Sequence, residues 1–196
     1  MTKNKFQQKR EHTYHKLLEA GLELFCEQGY AATTLENITA RAGYTKGAFY
    51  VHFKNKQDFF FHLLDHQGFF FKEIHREDNA IVGEDFRQTV AYWANEVLSR
   101  YISSRWTLVF YDFYIQNRHD EKVRTYFREY HSKWAEDIAL IIRGLQKKGW
   151  VTREKDAKDL AIRCYDIITG GIIHHHMDGE PIDVDKMTEA ILALLK

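Results

Sequence analysis

Hydrophobic residues recur at helical spacing along most of the chain. Tyr14, Leu18, Leu22 and Phe25 repeat every three or four positions, and charged residues occupy the positions on the other side. This spacing predicts an amphipathic helix that ends near Gly29. No window alternates strictly between apolar and polar residues, so the pattern predicts no strands.

Two short helices are predicted next. Thr33 and Glu36 have the spacing of a capping box, which predicts a second helix that ends at Gly43. Thr45 is placed to cap a third helix that extends through Phe53. Two short helices joined by such a turn have the layout of a helix-turn-helix, whose second helix enters the major groove of DNA.

The remainder of the chain also has helical periodicity. Asn55 is expected to cap a fourth helix that continues to about Arg76. Five further helices are predicted over residues 84–103, 105–118, 120–148, 154–177 and 184–195. The expected fold is therefore all-α, with an N-terminal three-helix DNA-binding domain over residues 1–56 and a C-terminal helical ligand-binding and dimerisation domain over residues 57–196.

Composition supports this organisation. One proline and eleven glycines among 196 residues leave few forced breaks in helices. The net charge is zero, but residues 1–56 carry nine basic and five acidic side chains, a net charge of +4 that suggests contact with a polyanion. We expect a cytoplasmic protein with reduced Cys26 and Cys164, since no signal sequence or membrane span is recognisable.

A longer motif extends from Leu18 to Lys56. It contains the run Leu18-Glu19-Ala20-Gly21-Leu22-Glu23-Leu24-Phe25, followed by Gly29-Tyr30, Thr33-Thr34, Ile38, Ala42-Gly43, Lys46-Gly47, Phe49-Tyr50, His52-Phe53 and Lys56. This motif resembles the N-terminal DNA-binding domain of the TetR family of bacterial transcriptional regulators. Gly21 and Thr39 stand where that family usually has alanine, and Tyr44 where it usually has valine.

The resemblance implies an all-helical homodimer that binds a palindromic double-stranded DNA operator. It also implies a small-molecule effector, which binds among the C-terminal helices and releases the DNA. The positions that match the family's DNA contacts are Thr34, Thr45, Lys46, Tyr50, His52 and Lys56, with Gly47 and Ala48 in the groove.

Aromatic residues are concentrated in the middle of the chain, where residues 59–134 hold nineteen of the 29. These rings either fill a helical core or line a pocket for a flat, mostly apolar effector, with an acyl chain as the second option. Asp112, inside an aromatic run, is exposed, paired internally or available to a cationic effector. The candidate effector-binding residues are Phe60, Leu64, Trp93, Trp106, Phe110, Asp112, Phe113 and Trp134.

The last two predicted helices carry apolar stripes. Two such helices from each subunit can form a four-helix dimer interface around a two-fold axis. The candidate interface residues are Leu160, Cys164, Ile167, Ile168, Gly171, Met187, Ile191 and Leu194.

Two function classes compete with a ligand-responsive repressor. A helical metal-dependent enzyme would use His62 and His66, one turn apart, together with Asp65 and the region of His174. Such an enzyme would have no use for the N-terminal motif. The sequence also shows no set of residues for nucleophilic catalysis and no phosphate-binding loop, so we expect neither enzymatic activity nor a cofactor. The other alternative is a ligand-binding dimer that no longer contacts DNA. The motif argues against it, because it retains all four of the polar contact residues Lys46, Tyr50, His52 and Lys56.

Overall fold

The computed structural model describes residues 4–67, 84–102 and 105–196. Within these ranges the ordered elements are helices and none is a strand, which confirms the predicted fold class. The part of the fourth helix predicted beyond Gln67 lies outside the described residues. The described helices are α1 Lys5–Ala32, α2 Leu35–Ala42, α3 Lys46–Tyr50, α4 Lys56–Gln67, α5 Phe86–Ile102, α6 Trp106–Asn117, α7 Glu121–Lys147, α8 Ala157–Asp178 and α9 Val184–Leu195.

These helices form two compact units. The first unit contains α1 to α4 together with α6, and the second unit contains α5, α7, α8 and α9. The predicted functional boundary at residue 56 stays a prediction, and packing places α4 and α6 in the same unit as α1, α2 and α3. No helix of the described residues is long and apolar enough to cross a membrane.

The first unit is built around phenylalanine rings. Phe25, Phe49, Phe59 and Phe60 are fully buried, as is Phe113 from α6. The rings of Phe60 and Phe113 are stacked with their centroids 4.0 Å apart. Large buried rings contribute much apolar area, so this cluster fixes α4 and α6 against α1.

The segment that leads into α2 agrees with the prediction at Gly29 and differs from it at the cap. Helical geometry breaks at Gly29, as predicted, with φ 82° and ψ 168°, and one further helical turn extends to Ala32. Thr34 caps α2, because its hydroxyl accepts from the Asn37 amide while the Asn37 side chain accepts from the Thr34 amide. The predicted capping box of Thr33 and Glu36 is therefore wrong by one position: the Thr33 hydroxyl is buried and donates to the Gly29 carbonyl at 2.8 Å.

The second unit has a separate apolar core between α5, α7, α8 and α9. Most of the candidate dimer residues belong to this core: Leu160, Cys164, Met187 and Ile191 are buried in it, and Ile167, Ile168 and Leu194 pack against it. A Cβ atom on Gly171 would lie 2.4 Å from the Met187 Cε atom. Four of the eight candidates are therefore buried within their own subunit, whereas the other four keep part of their surface exposed, so the dimer assignment stays a prediction.

Candidate DNA-binding interface and effector region

The turn between α2 and α3 has the geometry of a helix-turn-helix. Gly43 ends α2 in the left-handed conformation, with φ 74° and ψ 29°, which glycine adopts without steric cost. Thr45 begins α3, and its hydroxyl accepts from the Ala48 amide at 3.4 Å. Both features were predicted from the sequence, although α3 ends at Tyr50 rather than Phe53.

One face of this motif is open to solvent. In the short helix α3, Phe49 is the buried residue, and the other four positions are exposed or half-buried. Tyr50 is exposed over 57% of its surface. The candidate DNA contacts Thr34, Thr45, Lys46, Gly47 and Tyr50 are exposed, and Ala48 and His52 are half-buried.

Lys46 already has an anionic partner. Its ammonium pairs with the Glu36 carboxylate of α2, and both side chains are more than half exposed. The hydrogen bond raises the pKa of Lys46 and lowers the pKa of Glu36. In the free chain the lysine that the sequence analysis places at the groove is therefore neutralised by a neighbour.

His52 and Arg10 lie together at the edge of the motif. They line an open groove with Gln7, Glu11 and Tyr14, between the start of α1 and the end of α3. Burial and the positive charge of Arg10 lower the pKa of His52. His52 is therefore mainly neutral at pH 7 and available as a hydrogen-bonding group rather than as a cation.

Lys56 is placed differently from the other candidates. Its side chain is half-buried, and its ammonium donates to carbonyl groups at the end of α1. The sequence gives no sign of this contact, because its acceptors are backbone atoms more than twenty positions away in the chain.

The candidate effector residues are divided between the two units. Phe60, Leu64, Trp106 and Phe113 are buried in the first unit, and their assignment to a pocket stays a prediction. Phe60 stacks on Trp106 with a centroid distance of 5.3 Å, so each ring buries apolar surface of the other. Aromatic content alone does not distinguish such a core from a binding pocket.

The remaining effector candidates are all half-buried. Asp112 and Phe110 lie on α6 in the first unit, whereas Trp93 and Trp134 lie on α5 and α7 in the second. The Asp112 carboxylate accepts from the Gln116 side chain at 2.6 Å, which matches the alternative of internal pairing.

The second unit contains an aromatic cluster that the sequence analysis did not select as a group. The ring of Trp134 meets that of Tyr165 at 5.1 Å and 67°, and His131 lies 5.7 Å from the same tyrosine ring. Burial lowers the pKa of His131 and raises the pKa of Tyr165, so both rings are neutral at pH 7. His131 and Trp134 lie about one helical turn apart on α7, a spacing that is visible in the sequence. The contact with Tyr165 of α8 depends on the fold and is not visible there.

The described residues do not favour a metal centre. No group of three or more histidine, cysteine, aspartate or glutamate side chains within them is arranged to hold a metal ion. His62 instead shares a hydrogen bond of 3.3 Å with the Tyr14 hydroxyl, and the ring of His66 contacts that of His15. Neither Cys26 nor Cys164 forms a disulfide within the part of the chain that the structure describes.

Two family models match the chain. The model described as bacterial regulatory proteins, tetR family, matches residues 17–63. The model described as BetI-type transcriptional repressor, C-terminal, matches residues 94–196. The chain belongs to the TetR family of bacterial transcriptional regulators.

Individual relatives agree with this membership. The uncharacterized HTH-type transcriptional regulator YwcC of Bacillus subtilis is 28% identical over 198 residues, which cover 97% of this chain and 88% of that protein. The solved structure of FadR from Bacillus subtilis in complex with stearoyl-CoA has a TM-score of 0.73 and 19% identity, and the match covers 93% of this chain and 97% of that one. A transcriptional regulator from Saccharomonospora viridis in complex with choline has a TM-score of 0.69 and 22% identity, over 91% of this chain and 92% of that one.

These findings confirm the function class predicted from the sequence. The chain is a transcriptional regulator with an N-terminal helix-turn-helix and a C-terminal helical region. The metal-dependent enzyme built on His62 and His66 is not favoured.

Proposed function

We propose that this protein is a cytoplasmic repressor that binds a palindromic operator as a homodimer and is released by a small, mostly apolar effector. The observation that carries the DNA-binding part is the open face of α3. It presents Lys46 and Tyr50 to solvent beside glycine and alanine positions that allow close approach to DNA. The proposed contact set is Thr34, Thr45, Lys46, Gly47, Ala48, Tyr50 and His52.

The contacts divide into two kinds. Tyr50 and the hydroxyls of Thr34 and Thr45 suit phosphate oxygens, which fix the register of the protein on the duplex without reading sequence. Lys46 suits the guanine edge in the major groove, where a good contact contributes about 1–3 kcal/mol of discrimination. Glu36 must then release Lys46 or reorient with it when DNA binds.

The effector is proposed to bind in the second unit. Trp93 and Trp134 are the remaining half-buried candidates there, and Trp134 adjoins His131 and Tyr165. Neutral aromatic rings suit a quaternary ammonium group through cation-π attraction, and they also suit an acyl chain. The relatives solved with choline and with stearoyl-CoA represent these two chemical classes.

The DNA-binding proposal is tested with a duplex selected by the wild-type protein from a random library. Tyr50→Ala should weaken binding to all duplexes, and Lys46→Ala should also relax base preference at one position by about 1–3 kcal/mol. Tyr92→Ala is the matched control, since Tyr92 is an exposed tyrosine of α5. Unchanged affinity of Tyr50→Ala for every duplex, or equal losses in Tyr50→Ala and Tyr92→Ala, would contradict the proposed interface.

The effector proposal is tested on the protein bound to that duplex. Choline and stearoyl-CoA are the probes, and the expected result is that one of them releases the DNA and changes tryptophan fluorescence. Trp134→Phe should weaken this response more than Trp150→Phe, in which the altered ring packs against Phe86 and Lys148. Release that is equally strong in both variants would place the effector away from Trp134.

A further inference from the structure

Lys56 occupies the point where α4 begins and α1 ends. Its Nζ atom lies 2.9 Å from the Tyr30 carbonyl oxygen, 3.0 Å from that of Thr33 and 3.5 Å from that of Ala31. The last carbonyl groups of a helix have no partner within it and carry a partial negative charge. An ammonium group has three N–H donors, so its donors match the acceptors offered there.

The ring of Tyr30 completes this environment. The Nζ atom of Lys56 lies 4.3 Å from the ring centroid, within the range of cation-π attraction. Burial around Lys56 also lowers its pKa, whereas the exposed Lys46 has a raised pKa. The two lysines therefore occupy opposite environments: one is open to a polyanion and the other is enclosed by its own chain.

The orientation of α3, the second helix of the helix-turn-helix, is fixed by few contacts within the helix itself. α3 has only five residues, and a five-residue segment connects it to Lys56. Phe49 and Phe53 anchor one side of this segment, with ring centroids 5.0 Å apart. The carbonyl contacts of Lys56 fix the other side, at the start of α4.

We infer that Lys56 is a positioning residue: it joins the end of α1 to the start of α4 and thereby sets the orientation of α3, and it does not bind a DNA phosphate. The inference rests on the proposed DNA-binding function. It replaces the phosphate role implied for Lys56 by its place in the family motif. Tyr30 also contacts Phe113 of α6 at 4.8 Å, so the turn held by Lys56 is the one that α6 touches.

The first test uses the DNA-free protein. With isotope-labelled lysine, nuclear magnetic resonance should detect the Lys56 ammonium protons as protected from exchange with water, because they are held in hydrogen bonds. The Lys54 ammonium is the matched control, since Lys54 is an exposed lysine two positions earlier. Equal exchange of the two ammonium groups would overturn the contact itself, whether or not the protein binds DNA.

The second test compares Lys56→Met with Lys54→Met on the duplex selected by the wild-type protein. We expect Lys56→Met to lower affinity about tenfold at a temperature where circular dichroism shows it folded, with an unchanged dependence on salt. Loss of a phosphate contact would instead reduce the slope of log affinity against log salt by about 0.9. Lys54→Met is the control: it measures how far the loss of one positive charge in this segment lowers DNA affinity by itself.

The outcomes separate the inference from the proposal on which it rests. A reduced salt slope in Lys56→Met, or an affinity equal to that of the wild type, would overturn the positioning role. Failure of the wild-type protein to select any duplex would instead overturn the proposed function, and the exchange measurement would still decide whether Lys56 holds the end of α1.

Discussion

At Gly21, on α1, the ring of Phe59 occupies the space that a side chain would need. A Cβ atom built on Gly21 would lie 2.4 Å from two atoms of that ring, and Phe59 is itself fully buried. The sequence shows only that glycine stands where the TetR family usually has alanine. The reason is a contact with another helix, which no local pattern reveals.

This contact predicts that Gly21→Ala destabilises the protein. Overpacking a tight core costs about 1–3 kcal/mol, which outweighs the gain of about 1 kcal/mol from replacing glycine by alanine in a helix. The free energy of unfolding, measured with urea, should therefore fall. In a Phe59→Leu background the same substitution should become neutral or stabilising, and equal effects in both backgrounds would show that the ring is not the obstacle.

The ion pair of Glu36 and Lys46 leads to a second prediction at this scale. Glu36→Gln should raise DNA affinity about threefold at low salt, because it frees Lys46 and removes a negative charge beside the phosphates. The gain should shrink as salt increases. Glu129→Gln, which removes an exposed acid from α7, is the control, and an equal gain in both variants would mean that only net charge matters.

The helices illustrate which structural features periodicity can predict. The helices α5 to α9 begin and end within a few residues of their predicted positions, because long amphipathic stripes and glycine stops are local signals. In α1 the predicted stop at Gly29 coincides with the break in helical geometry, and only the further turn to Ala32 was not predicted. The Thr33 hydroxyl holds that turn locally by donating to the Gly29 carbonyl, whereas Lys56 and Phe113 of α6 hold it through tertiary contacts that no local pattern shows.

The bend at Gly29 predicts opposite effects of one substitution at two glycines. Gly29→Ala should lower the free energy of unfolding by about 1–3 kcal/mol, because φ 82° with ψ 168° is a conformation that only glycine adopts without strain. Gly170→Ala, in α8 with no heavy atom near the added carbon, should raise it by about 0.5–1 kcal/mol. Urea unfolding of both variants checks this, and a neutral Gly29→Ala would contradict the strain argument.

At the scale of the whole molecule, most candidate DNA contacts are exposed, as a binding surface requires, whereas many effector and dimer candidates are buried. Helix-turn-helix contacts must be exposed on a short segment, so a local motif identifies their positions. A core, a pocket and an interface all need apolar residues at helical spacing, and only the packing separates them. Phe113 and Ile191 are examples, since both were assigned to binding surfaces and both are buried within one chain.

The outward face of α8 is therefore the better candidate for the dimer. Ile162 and Met177 are exposed there, by 44% and 79%, and share a face with Ile173 at about 100° per residue. Ile191→Glu would not test the interface, because it would bury an unpaired charge in the core. Ile162→Glu changes a surface residue and should leave the fold intact.

We expect Ile162→Glu to be monomeric by sedimentation at a concentration where the wild type is dimeric. Its affinity for a palindromic duplex should fall about a hundredfold, because the two half-sites are no longer bound by linked recognition helices. Leu108→Glu is the matched control, as Leu108 is an exposed leucine of α6 in the first unit. A variant Ile162→Glu that remains dimeric would exclude this face, and a monomeric variant with unchanged affinity would show that each subunit binds DNA independently.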